Sequence, residues 1–314
     1  YKYYIDFASS FHIPYIVMDA GWAETVLNPN KPNSQMRLPE LIQYGKDKNV
    51  GIILWLSWVA VEQNFDLFKT YEEWGIKGIK IDFMDRSDQW MVNFYERVAK
   101  EAAKHHLLVD FHGSFTPAGL EYKYPNVVSY EGVKGLEHMR GCYPDNSIYL
   151  PFMRNAVGPM DYTPGTFSDS QHPHITSYGH ELALPIIFES ALQHMPDRPS
   201  VYYDMPEPVK KLLSDLPAAW DDTKLLTGYP GMEVVMARRK GDVWYIAGIN
   251  GTNEPRTLCF SLKDLSVAGK KITLFEDGTD DRSFAIEENL PLSEDEMNLE
   301  IKCLPRGGFV AVIK

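Results

Sequence analysis

From residue 1 to about residue 200, short apolar runs rich in valine and isoleucine alternate with longer segments of helical period, a pattern that predicts an α/β fold on a parallel sheet. Each run is apolar almost throughout, as strands covered on both faces are. Asp19, Trp58, Asp82, His112, Glu131 and Arg154 each fall at the carboxyl end of a different run. A TIM-type (β/α)8 barrel draws its functional groups from successive strand ends in this way, whereas a doubly wound sheet concentrates them at one switch point. The expected class is therefore a barrel. After Pro217 alternating strands and hairpin turns take over, which predicts a C-terminal antiparallel β-sandwich.

Taken in order, residues 1–11 read as an amphipathic helix, followed by the strand YIVMD (15–19) and a helix over 37–48. GIILWLSW (51–58), GIKIDF (78–83), LLVDFHG (107–113), VVSYEG (127–132) and YLPFMR (149–154) are the next strands, separated by helices at 64–74, 88–105 and 117–122. A helix over 176–190, a last strand SALQHM (190–195) and a last helix over 207–217 complete this part. That makes seven strands, so the barrel is expected to lack its first strand, N-terminal to Tyr1. The domains expected are a barrel over 1–217 and a sandwich over 218–314, the latter from MEVVMARR, DVWYIAGIN, TLCFSL, KITLFEDG, LEIKCL and GFVAVIK.

With 314 residues, 44% hydrophobic and 24% charged, the composition is that of a globular protein with a sizeable core. A net charge of −12 and no basic cluster argue against nucleic acid or an anionic membrane surface and favour a neutral ligand such as a sugar. Cys142, Cys259 and Cys303 have no paired spacing, so neither a disulfide framework nor a zinc knuckle is encoded. No run is long enough to span a bilayer, and YKYYIDF is neither a start methionine nor a signal peptide, which suggests a piece of a longer chain.

The densest chemistry lies in KIDFMDRSD, residues 80–88. Lys80 and Asp82 alternate with apolar residues, so both point to one face of their strand, toward the barrel axis. A lysine beside an aspartate favours the ionised acid, and an ionised aspartate is a competent nucleophile. Asp85 and Asp88 are better explained by a helix N-terminus, with Asp85 or Ser87 as the cap. Glu131 and Glu137 lie on a glycine-punctuated loop and could share a hard cation such as calcium, or form a solvated acidic loop. Trp22 and Trp58 are candidate sugar platforms, while Trp55 and Trp74 read as core. His12 reads as structural, and His112 could donate to a sugar hydroxyl. Arg154 and Asp161 add polar groups on the same side, although a plain turn explains YTPG equally well.

Together, YIVMDAGW, GIKIDFMDR, SYEGVKGLE, RNAVGPMDYTPG, HELALPIIFESALQH and VVMARRKGDVWYIAGINGT resemble glycoside hydrolase family 97 over nearly the whole chain. The resemblance implies a catalytic barrel flanked by an N-terminal β-sandwich, expected in a longer parent chain, and a C-terminal β-domain. Inverting α-glucosidases of the family use glutamates at the ends of the third and fifth barrel strands, where this chain reads LSW and FHGS. Retaining α-galactosidases carry an aspartate in a KxD motif on the fourth strand, which Lys80-Ile81-Asp82 matches. The expectation is thus a retaining exo-acting α-galactosidase with Asp82 as nucleophile and Glu137 as acid/base. Glu131 and Glu137 would be calcium ligands, and Asp19, Trp22, Trp58, Lys80, His112 and Arg154 would bind the oligosaccharide or galactoside. The alternatives are an inverting α-glucosidase of the same family and a non-catalytic carbohydrate-binding barrel. A periplasmic or secreted location of the parent is expected.

Overall fold

The computed structural model describes residues 1–138, 144–169 and 174–314, which pack as two compact units. The first comprises Tyr1–Val133, Gly158–Asp161 and Lys210–Leu216. The second comprises Lys134–Val157, Tyr162–Val209 and Pro217–Lys314, so one change of unit falls between Leu216 and Pro217, and residues 134–157 and 162–209 group with the C-terminal part.

The first unit is built on a parallel sheet of β1 (Tyr15–Met18), β2 (Gly51–Ser57), β3 (Gly78–Asp82), β4 (Leu108–Phe111) and β5 (Val127–Tyr130), in that spatial order. Helices intervene between successive strands: Leu38–Asp47 after β1, Trp58–Gln63 and Leu67–Trp74 after β2, Gln89–Lys104 after β3 and Leu120–Lys123 after β4. Sequence parity assigns the two faces of this sheet. Ile16, Met18, Leu54, Leu56, Ile79, Ile81, Val109 and Phe111 share one core with Phe68, Tyr71, Phe94 and Val98 of the helices. The intervening positions, including Trp55, Ser57, Lys80, Asp82 and Asp110, therefore face the opposite side. Helix Gln89–Lys104 starts cleanly because Asp88, rather than the expected Asp85 or Ser87, accepts hydrogen bonds from the backbone N–H groups of Trp90 and Met91.

Two expected strands are not formed, so the parallel sheet has five strands among the described residues rather than seven. Of residues 149–154, Tyr149 ends helix Pro144–Tyr149 and the rest follow as turns, with the N–H groups of Phe152 and Met153 both on the carbonyl of Tyr149 at 3.1 Å. Pro151, which has no N–H to give a ladder, sits in their middle. In residues 190–195 local bonds take the place of a ladder. The Ser190 hydroxyl donates to the Leu192 carbonyl at 2.8 Å, and the Gln193 amide turns back onto Pro185 and Phe188.

The second unit contains the C-terminal strands β6 (Asp222–Tyr229), β7 (Glu233–Lys240), β8 (Val243–Asn250), β9 (Arg256–Ser261), β10 (Lys271–Asp277), β11 (Phe284–Pro291), β12 (Asn298–Cys303) and β13 (Gly308–Ile313). Six form an antiparallel sheet in the order β11-β10-β13-β8-β7-β6, and β9 pairs with β12. The rings of Phe260 on β9 and Phe309 on β13 stack at 5.4 Å within the core that joins the two sheets. β6 and β11 were not expected from the sequence. No helix among the described residues is long and apolar enough to cross a membrane.

Helix Tyr178–Ile187 is buried from Gly179 to its end and approaches β13 so closely that only glycine fits at position 179. A Cβ there would lie 2.2 Å from the Gly308 carbonyl oxygen and 2.5 Å from Oδ1 of Asp277. Both obstacles are rigid, the first being backbone and the second being tied to the N–H of Gly308. Gly179→Ala is expected to destabilise this unit by about 1–3 kcal/mol, as overpacking does, measurable as a lowered denaturant midpoint at unchanged slope.

Candidate active site

The face of the parallel sheet turned away from the helices becomes polar toward the carboxyl ends of the strands. Parallel register places Trp55, Lys80, Asp110 and Ser129 side by side in one row. Ser57 and Asp82 are paired in the next row, and His112 and Glu131 follow Asp110 and Ser129 by two residues on their own strands. All of these except Asp82 are buried.

Buried charges on one face call for partners, and Lys80 and His112 have them. Just beyond β5 the backbone N–H of Asp161 bonds the carbonyl of Tyr130 at 2.8 Å. Its carboxylate thereby meets the Lys80 ammonium at 3.4 Å and His112 Nε2 at 3.6 Å. The other ring nitrogen of His112, Nδ1, lies 3.4 Å from Oδ1 of Asp82 and 3.6 Å from Oε2 of Glu131. Burial alone would drive His112 toward its neutral form. The hydrogen bond to Asp82 and the charges of Asp161 and Asp110 outweigh that effect and the repulsion by Lys80, so the imidazole pKa rises to about 9.

Asp82 closes β3 with 15% of its side chain exposed. Its Oδ2 accepts the indole N–H of Trp55 at 2.9 Å, and its Oδ1 accepts the backbone N–H of Phe83 at 2.6 Å. Burial pushes this carboxyl up, but the hydrogen bonds from His112, Trp55 and Phe83 win and hold it below its ordinary value of 3.8. The Phe83 N–H reaches Oδ1 with Phe83 in the left-handed region, at φ 65°, and its ring is 56% exposed and edge-on to Trp55 at 5.5 Å. A bulky residue held at positive φ is strained, and such strain gathers at functional sites. Gly113, at φ +53°, makes this close packing feasible: its N–H donates to Oε2 of Glu131 at 2.7 Å, and a Cβ would lie 2.9 Å from the Phe83 nitrogen and 3.0 Å from Oδ1 of Asp82.

Of the residues singled out in the sequence, Asp82, Lys80, His112, Glu131 and Asp161 are brought together in this network. Asp19 is exposed at the end of β1, its carboxylate accepting the N–H of Ala20 at 2.6 Å. Trp22 is not an open platform: it is 2% exposed, packs edge-on to Tyr71 and donates its indole N–H to the Trp55 carbonyl at 2.7 Å. Trp58 begins a helix and packs against Trp90 and Phe94, with the Arg86 guanidinium 5.9 Å from its ring centre. Glu137, exposed in the 3-10 turn Leu136–His138, and Arg154, buried beyond helix Pro144–Tyr149, belong to the second unit. Trp55, expected in the core, is buried, but its bond to Asp82 and the place of Asp110 were not foreseen from the sequence. Parity was the available signal, because Trp55 and Asp110 fall on the face already given to Lys80. For a metal, Glu131 offers the hard carboxylate oxygen that calcium takes, whereas the His112 imidazole suits softer ions.

Comparison with known proteins agrees with this picture. A family model described as Glycoside hydrolase 97 matches residues 1–133, and one described as Glycosyl-hydrolase 97 C-terminal, oligomerisation, matches residues 219–314. A retaining alpha-galactosidase of Bacteroides thetaiotaomicron is 38% identical over 336 residues, an alignment that covers 100% of this chain and 50% of the relative. A probable retaining alpha-galactosidase of Streptomyces bingchenggensis is 39% identical over 255 residues, covering 79% of this chain and 40% of the relative. The chain thus spans about half the length, or less, of these relatives. A solved family 97 enzyme of Pseudoalteromonas sp. strain K8 in complex with acarbose superposes with a TM-score of 0.90 at 26% identity, over 100% of this chain and 55% of that one. A beta-arabinopyranosidase superposes with a TM-score of 0.86 at 28% identity, over 98% and 52%. With both ends of the sequence matched by models of one family and its whole length aligned to a relative, the chain belongs to glycoside hydrolase family 97.

Proposed function

We propose that this chain carries the catalytic part of a retaining α-galactosidase that removes terminal α-galactosyl groups by double displacement. The observation that supports it most is Asp82: a carboxylate kept ionised at a strand end, held on both oxygens yet partly open to solvent. The names of the Bacteroides and Streptomyces relatives point the same way. In the first step Asp82 attacks the anomeric carbon while Glu137 gives its proton to the departing glycosidic oxygen. In the second step a water molecule, deprotonated by Glu137, attacks the same carbon and releases Asp82. His112, with the N–H groups of Trp55 and Phe83, keeps the nucleophile charged, and Lys80, paired with Asp161 rather than with Asp82, and His112 have donors that suit sugar hydroxyls. Asp19, Trp58 and Arg154 remain assigned to the substrate. Glu131 and Glu137 would hold calcium, which when bound supplies fixed positive charge at the site.

The beta-arabinopyranosidase neighbour favours one further substrate, because a β-L-arabinopyranoside is an α-D-galactoside without its exocyclic hydroxymethyl group. Assays on p-nitrophenyl α-galactoside, β-L-arabinopyranoside and α-glucoside rank these sugars directly, with the galactoside expected to turn over fastest.

Asp82→Ala should lose nearly all hydrolysis, while added azide should yield a β-galactosyl azide visible by NMR; full activity of the variant would exclude the assignment. The pH profile offers a second check. Asp82 works as its anion and its pKa is lowered, so the active form persists below the ordinary value of 3.8. A profile of kcat/KM over about pH 3–8 should therefore show no acid limb from this group above that value. Replacing Glu131 by Gln should weaken calcium binding, measured by titration calorimetry, by at least the roughly tenfold that even an outer-shell loss costs.

A further inference from the structure

The two oxygens of Asp82 are not equivalent. A carboxylate offers about four lone-pair sites, two on each oxygen. Oδ1 meets two donors, the N–H of Phe83 at 2.6 Å and Nδ1 of His112 at 3.4 Å. Oδ2 meets one, the indole N–H of Trp55 at 2.9 Å, and so retains a lone pair. Trp55 is in turn fixed, because its carbonyl accepts the indole N–H of Trp22 at 2.7 Å at a point where β1 has already ended at Met18. The two tryptophans thus form a relay: Trp22 holds the backbone of Trp55, and the Trp55 ring holds the carboxylate.

We propose that Trp55 is the positioning residue of the nucleophile, aiming Oδ2 of Asp82 at the anomeric carbon, with Trp22 as its anchor. The inference rests on the retaining reading given above. In the first step the new bond forms from Oδ2 to the anomeric carbon as the bond to the glycosidic oxygen breaks, and that oxygen leaves with the proton from Glu137. Through this step Oδ1 stays on its two donors and the Trp55 N–H keeps the carboxylate from rotating about its Cβ–Cγ bond. Near-attack geometry of this kind is worth large factors in rate.

The test is the single-turnover release of p-nitrophenol from an α-galactoside by the full chain with Trp55→Phe, which keeps an aromatic ring and removes the N–H. The first step should slow roughly ten- to a hundredfold per folded molecule, the range expected for a hydrogen bond to a charged group, with KM changed less than about threefold. A purely structural tryptophan would lower the folded fraction and the melting temperature and leave that rate untouched. Should Trp55→Phe not fold, benzothienylalanine at position 55 keeps the bicyclic ring, replaces N–H by sulfur and carries the same expectation. A first step within about twofold of the parent, in a background where Asp82→Ala is dead and rescued by azide, overturns the positioning role alone. Normal hydrolysis by Asp82→Ala overturns both it and the retaining reading.

Discussion

The Lys80–Asp161 pair is the interaction on which the rest of the site depends. A lysine 5% exposed on one face of a parallel sheet is untenable without a counter-charge. Removing one partner of such a pair costs about 3–5 kcal/mol. Asp161 answers Lys80 and also stands against the far nitrogen of His112. His112 is kept a cation by its hydrogen bond to Asp82 together with the charges of Asp161 and Asp110, and its near nitrogen faces Asp82 and Glu131. Carboxylates outnumber cations on this face, which suits a reaction whose transition state gathers positive charge at the sugar carbon.

Much of this was legible in the sequence because strands obey a period of two. Lys80 and Asp82 had to share a face, and His112 and Glu131 had to close neighbouring strands. What escaped were contacts between distant segments. Asp161 reaches Lys80 across 81 positions, and nothing local announces it beyond a polar residue in a turn-rich stretch. Trp55 looked like core because an indole in an apolar run usually is, and a single N–H directed at a carboxylate leaves no trace in hydropathy. Trp22 looked like a platform because it follows a strand end, yet its loop folds back, with the N–H of Asn33 on the Trp22 carbonyl at 2.8 Å.

The errors in secondary structure have similar causes. YLPFMR and SALQHM have the apolar content of strands, but a proline in one and side-chain to backbone bonds in the other remove the ladder. In the opposite direction, β6 and β11 lie at the two edges of their sheet and expose many of their residues, so they carry too few apolar positions to register as strands. Elements that bury a face were visible; elements that depend on a neighbour's backbone were not.

The bond from Trp22 to the Trp55 carbonyl has a consequence for how such a protein can diversify. Rim loops of a parallel-sheet enzyme are ordinarily where new specificities arise, because they drift without disturbing the frame. Here the segment after β1 exposes Val26 and Leu27 at its tip and is tethered at its root. Variation at the tip can change what this segment presents to solvent, whereas an insertion or deletion ahead of Trp22 would disturb Trp55 and, through its indole, Asp82.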